Sequence, residues 1–153
     1  MMALVCAFTV YGDATPQGSL TNNGRGGVRY SNQQRLMAWR ADIRAALQAQ
    51  VTGLHPGLLR GPVAVRVRFA MPKPASVPKR RVFPTVTPDL DKLARAVGDS
   101  LEHVVLASDA QIVHWDLWKV YTDGRAEARI EIWQPDAIAP VVETNPFQQQ
   151  GLF

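Results

Sequence analysis

From residue 88 the chain reads Pro88-Asp89-Leu90-Asp91-Lys92-Leu93-Ala94-Arg95-Ala96-Val97-Gly98-Asp99-Ser100-Leu101. Leu90, Leu93, Ala94, Val97 and Leu101 recur at helical spacing and predict a helix that buries this stripe. Thr87 as the capping residue, then Pro88 and acids in the first turn, mark its start. The flanks are β in pattern. Upstream, Val63, Val65, Val67 and Phe69 alternate with Ala64, Arg66 and Arg68, a half-buried strand. Downstream, Ile112 to Tyr121 and Ala126 to Trp133 predict two more, and Asp123-Gly124 between them reads as a hairpin turn.

Toward the N-terminus, Ala3 to Tyr11 is an apolar run closed by Gly12-Asp13, read as a strand buried on both faces. The Gly-, Asn-, Thr- and Ser-rich stretch 14–29 predicts a loop. Ser31 and Gln34 form a capping-box signal. After it, Leu36, Trp39, Ile43 and Leu47 form the stripe of another helix, with Arg35, Arg40 and Arg44 on its outer surface. His55-Pro56-Gly57 ends it. Met71 to Pro88 holds five prolines together with Lys73, Lys79, Arg80 and Arg81, which predicts a mobile basic loop long enough to serve a function. The order β-α-β-α-β-β predicts one α+β domain over residues 1–134, with helices packed on one mixed sheet. The polar, proline-punctuated tail 135–153 is expected to be disordered.

At 153 residues the chain is long enough to bury a core without staples. Its single cysteine, Cys6, excludes a disulfide framework and a cysteine zinc site. No apolar run approaches the ~18 residues that cross a bilayer. The stretch 1–10 lacks a basic start and a small-residue cleavage site, so a cytoplasmic protein with no membrane partner is expected. Charge is strongly divided. Between Ala14 and Pro88 twelve Lys and Arg face one acid, Asp42, a net +11, and from Asp89 onward the balance is −6. A segment that basic is the footprint of a polyanion binder.

The acids begin where the bases stop. Asp89 and Asp91 sit two apart at the junction of basic loop and helix, where an extended backbone lets them point the same way. Converging carboxylates are hard ligands for Mg²⁺ or Mn²⁺, which bind through few carboxylates plus phosphate and water. Asp109, just before a strand, is a third candidate. The same spacing also suits purely structural roles: acids favoured by the helix dipole, and Asp91–Arg95 and Arg95–Asp99 as i,i+4 pairs.

The longer pattern, residues 88–101 followed by Ser108-Asp109-Ala110-Gln111-Ile112-Val113 and a strand holding Lys119, resembles the RusA family of Holliday-junction resolvases, common in phages and prophages. The family pattern is approximately P-D-x-D-N-L-x-K-x-x-x-D-x-L, a turn, then D-D-x-Q-V and a downstream lysine. The resemblance implies a homodimer that nicks two opposed strands of a four-way junction during recombination and repair. It places the essential, metal-binding acids on Asp89, Asp91 and Asp109, with Mg²⁺ as cofactor and Mn²⁺ as substitute, and a supporting acid on Asp99. Lys92 stands where the family has asparagine, Arg95 where it has a catalytic lysine, and Ser108 where it has aspartate. The departures leave two alternatives open: a catalytically weakened junction-binding protein, or a broader nuclease acting on flaps and forks. Lys73, Lys79, Arg80, Arg81, Lys92 and Lys119 would contact DNA. Phe83 either wedges between bases or anchors the loop. Trp115, Trp118 and Trp133 fit sheet packing or a dimer contact, and His55, His103 and His114 show no ligand spacing.

The last five residues resemble the Q-x-x-L-F peptide with which bacterial replication proteins bind the sliding clamp, through Gln149, Leu152 and Phe153. Deleting Leu152 and Phe153 should abolish capture by the clamp in a pull-down and leave DNA cleavage unchanged. Capture that survives the deletion would refute the tail reading.

Overall fold

The structure, a computed structural model, describes residues 1–22, 24, 26–51 and 58–136. Strict alternation puts Val63, Val65, Val67 and Phe69 on one face of β4 (Val63–Pro72), where all four are fully buried. Ala64 and Ala70 on the other face are almost as deep. A strand this apolar on both sides belongs in the middle of a sheet, and that is where it lies. The sheet order is β1 (Met2–Tyr11), β6 (Glu127–Pro135), β4, β5 (Ile112–Thr122). β6 pairs antiparallel with both β1 and β4, whereas β5 runs parallel to β4, with Val65 opposite Trp115 on one side and Ile132 on the other.

This order corrects the hairpin expectation at Asp123-Gly124. β5 and β6 follow one another in the chain, but β4 lies between them. The connection steps over one strand, about 10 Å, which the four residues 123–126 can span. Burial explains the choice. β5, with Val113 and Trp118 exposed, tolerates the edge better than β4 does. β1 is likewise an edge strand, buried on one face through Cys6, Phe8 and Val10, with Leu4 exposed. The expectation of burial on both faces fails: Val5, Ala7 and Thr9, which alternate with the buried residues, are only half-buried, so one face of β1 alone packs on the core. The stretch read as loop contains a small antiparallel hairpin, β2 (Leu20–Asn22) with β3 (Val28–Tyr30).

Two helices lie on the same face of the sheet. α1 (Gln33–Val51) buries Leu36, Trp39, Ile43 and Leu47, as its periodicity predicts. Its continuation at His55-Pro56-Gly57 lies outside the described residues, as does the tail from 137 with Gln149, Leu152 and Phe153. α2 (Leu90–Leu101) adds Leu93, Ala96, Val97 and Leu101 to the same core, beside Ile130 and Ile132. The basic outer surface expected for α1 is only partly there. Arg40 forms an ion pair with Asp99 of α2, and Arg44 Nη2 donates to the Asp99 carbonyl at 3.1 Å. Both arginines therefore face the other helix, Arg40 toward the half-buried Asp99 carboxylate and Arg44 toward the main-chain carbonyl of the same residue. Arg35 remains exposed.

The loop 73–88 is turned and fastened. Arg81 N–H donates to the Pro78 carbonyl at 2.9 Å, and Tyr121 N–H of β5 donates to the Val82 carbonyl at 2.7 Å. The Phe83 ring lies 5.9 Å from that of Trp118, so Phe83 here anchors the loop to β5.

The sheet face away from the helices carries a polar network. Arg66 Nε meets Asp116 at 3.2 Å and Arg66 Nη1 meets Glu131 at 3.3 Å. Trp118 Nε1 donates to Asp116 and Trp133 Nε1 to Glu131, at 3.0 and 3.2 Å. The Asp116 side chain is only 8% exposed, and removing one member of such a pair strands its partner. Asp116→Ala should therefore destabilise the fold by about 3 kcal/mol, measured by guanidinium unfolding; a change within error would mean that solvent screens the pair.

Candidate active site

α2 starts two residues later than the capping signal suggests, with Asp89 rather than Thr87 as its N-cap. Thr87–Pro88 is a cis peptide, and Asp89, extended at φ −70°, ψ 137°, is the N-cap whose carbonyl accepts from Leu93 N–H at 3.1 Å. The Asp89 side chain makes no cap bond. It pairs instead with Lys92 Nζ at 3.0 Å, an exposed contact worth under about 1 kcal/mol. The turn before it is held from the sheet. Lys119 Nζ of β5 donates to the carbonyls of Val86 and Pro88 at 2.8 and 3.0 Å.

Within α2, Asp91, Arg95 and Gly98 follow at i, i+4 and i+7, so they share one side of the helix. Together with Asp109 and the β5 residues Ile112, Trp115 and Leu117 they line an open groove of ≈ 340 Å³. Gly98 closes one end. A Cβ there would lie 3.6 Å from Trp115 Cζ2 and 3.8 Å from Asp109 Cβ, so both side chains pack close over the helix backbone, with room for a methyl group and no more. Asp91 is seven residues up the helix from Gly98, about 10 Å along the axis. The two carboxylates thus sit toward opposite ends of the groove, with Arg95 between them.

Asp109 is delivered by a short 3₁₀ turn, Asp109–Gln111, held from three sides. Gln111 Oε1 accepts from Ala107 and Ser108 N–H at 2.8 and 3.2 Å, and its Nε2 donates to the Leu59 and Gly61 carbonyls, each at 3.0 Å. Glu102 Oε1 accepts the Asp109 N–H at 2.8 Å, and Ser108 Oγ accepts from Ala110. The roles of Glu102, Gln111 and Gly98 escape a reading made residue by residue. The Ser-x-x-Gln spacing of 108 and 111 is nevertheless a capping-box signal in the sequence.

Asp99 faces away from this groove, toward Arg40. Burial pushes its carboxyl pKa up; Arg40 opposes this, while the carboxylates of Asp109 and Glu102 add to it. Asp99, Glu102 and Asp109 therefore lie near one another at this end of α2, with Arg40 and Arg95 countering their charge. Among the described residues no three Asp, Glu, His or Cys side chains converge to cage a metal ion. Exposed, separated carboxylates do suit Mg²⁺, which keeps several waters and binds through one or two carboxylates plus substrate phosphate. The donor chemistry fits an open hydrated ion rather than a closed cage. Asp91 and Asp109 are the ligands the groove offers, and Asp89 stands outside its lining, beside Lys92.

The six lysines and arginines expected to meet DNA divide into two groups. Lys79, Arg80 and Arg81 are exposed on the loop. Lys73, Lys92 and Lys119 are engaged: Lys73 Nζ donates to the Lys79 carbonyl at 2.5 Å, Lys92 pairs with Asp89, and Lys119 holds the turn before α2.

An α+β domain with acids along a groove and a cationic loop at the same sheet edge has the make-up of a nuclease. The profile of the family described as endodeoxyribonuclease RusA matches residues 12–133, and the chain belongs to that family. It is also similar to the uncharacterized protein YqaN of Bacillus subtilis (strain 168), 28% identical over 137 residues that cover 82% of this chain and 92% of YqaN. No helix among the described residues is long and apolar enough to cross a membrane.

Because a Cβ at Gly98 meets only ordinary van der Waals distances, Gly98→Ala should fold and gain up to about 1 kcal/mol from helix propensity. Gly98→Leu should lose about 1–3 kcal/mol by forcing Asp109 and Trp115 aside. Chemical denaturation of both variants checks the pair of signs, and stabilisation by leucine would refute the close approach.

Proposed function

We propose that this protein is a metal-dependent endonuclease that resolves four-way DNA junctions by paired symmetric nicks, acting as a homodimer in recombination and repair. The observation that supports this most is the groove holding Asp91, Arg95 and Asp109, which falls inside the stretch matched by the family. A twofold dimer suits a junction that is itself nearly twofold symmetric.

Asp91, with Asp89 two residues before it, and Asp109 at the other end of the groove would each offer carboxylate oxygens to a hydrated Mg²⁺, for which Mn²⁺ can substitute. When bound, the ion supplies Lewis acidity and an activated water for phosphodiester hydrolysis. The chain's own residues do the rest. Lys79, Arg80 and Arg81 neutralise backbone phosphates, so affinity should fall steeply with salt. Arg95 lies between the two acids and places a permanent cation where a phosphate must sit between carboxylates that would otherwise repel it. It does so as a planar fork rather than as the mobile ammonium of a lysine. Lys119 orients the turn that feeds Asp89 and Asp91 into place, and the Glu102–Gln111 bonds set the position of Asp109.

The test is a synthetic four-way junction labelled at its 5′ ends and incubated with Mg²⁺. Wild type should nick two opposed strands symmetrically, and Asp91→Asn should lose at least about 100-fold in rate while still binding the junction. Tight binding without cleavage by wild type, in Mg²⁺ or Mn²⁺, would leave a junction-binding protein and point to Arg95. Equal cleavage of flaps and forks would broaden the substrate class.

A further inference from the structure

Beyond Lys119, toward the other end of β5, lies a second cavity of ≈ 340 Å³. That is within the range of pockets that enclose small organic ligands. Pro72, Pro84, Pro88 and Tyr121 line it with flat, apolar surface, and Asp13 and Arg35 line it with charge. Both charged residues are exposed. Among the described residues the two side chains form no ion pair, with each other or with any neighbour. An aspartate and an arginine left unpaired on one apolar cavity are matched to a ligand that presents donors on one edge and acceptors on another.

We propose that this cavity holds an unpaired guanine of the bound DNA strand. Proline rings and the Tyr121 ring suit the faces of a heterocycle. Guanine offers the Asp13 carboxylate its N1–H and N2 amino donors and offers the Arg35 guanidinium its O6 and N7 acceptors. Adenine lacks the N2 amino group and places a donor where arginine needs an acceptor. Pyrimidines lack the second ring that carries N7.

Position connects the cavity to the chemistry. Leu117 lines the catalytic groove, Tyr121 lines this cavity, and Lys119 lies between them on the same side of β5. Four residues of strand separate the two sites by roughly 13 Å, about four stacked base steps of one DNA strand. The turn that Lys119 fastens, Val86 to Pro88, forms part of the cavity wall and leads directly into Asp89. A guanine seated here would therefore select which phosphate lies between Asp91 and Asp109. The selection rests on the nuclease reading; the base site itself does not.

The test measures binding alone. Full-length protein is titrated, in EDTA, against fluorescein-labelled thymidine pentamers carrying guanine, hypoxanthine or adenine at the centre, with anisotropy as the readout. Guanine should bind about 10-fold more tightly than adenine, with hypoxanthine, which lacks the N2 amino group, in between. Asp13→Asn should erase the difference between guanine and hypoxanthine, and Arg35→Gln should reduce that between guanine and adenine, both variants melting as wild type does. Equal affinities in wild type, which need no variant to fold, would overturn the proposal, and so would a preference unchanged in both variants. Free dGMP should compete far more weakly than unlabelled guanine pentamer; equal competition would reassign the cavity to a free nucleotide. Junction nicking without base preference would refute the guanine site and spare the nuclease, and base preference without nicking would do the reverse.

Discussion

The parallel pairing of β4 with β5 is the constraint on which the rest depends. Parallel neighbours cannot be joined by a tight turn, so the chain leaving β4 must cross the sheet before it re-enters beside it. Residues 73–111 are that crossover, and they contain the basic loop, α2 and the 3₁₀ turn. Every acid of the candidate site lies on it. Because β5 is the last strand, the crossover lies against an open sheet edge, where a long polymer can reach the groove without threading through the protein.

Distribution of charge follows from the same arrangement. The basic half of the sequence looks like one cationic surface, but folding divides its work. Arg40 and Arg44 bind Asp99 between the helices, and Arg66 joins Asp116 and Glu131 on the opposite sheet face. The carboxylates of Asp99, Asp116 and Glu131 draw Arg40 and Arg66 inward, since a desolvated carboxylate needs a charged or hydrogen-bonding partner. What remains for a polyanion among the described residues includes Lys79, Arg80 and Arg81 on the loop, with Arg35 and Arg60 exposed elsewhere.

Lys119 shows how one side chain can serve position more than contact. Its ammonium satisfies two carbonyls of the turn before α2, so the strand, the turn and the first acids move as one unit. Gln111 does the same at the other end, where all four of its side-chain hydrogen bonds go to backbone groups of two segments. The groove between them is spanned by α2, whose buried stripe sets its depth on the sheet.

Local pattern was enough to read much of this. The apolar stripes of α1 and α2 and the alternation in β4 and β6 follow from side-chain periods of 3.6 and 2, which need no knowledge of neighbours. The chain order of the elements in the main sheet and the placing of Asp91 and Asp109 near one helix and one strand were legible for the same reason. Strand order was not. Asp123-Gly124 is a good hairpin turn in isolation, yet the apolar character of β4 on both faces outweighs it and places that strand between its two successors. Nor could spacing show that Arg40 would turn toward Asp99, that Gly98 would admit Asp109, or that Lys119 would hold a turn thirty residues earlier in the chain. Those contacts join segments distant in sequence, and they exist only once the core has brought the segments together and removed the water that would otherwise satisfy each group.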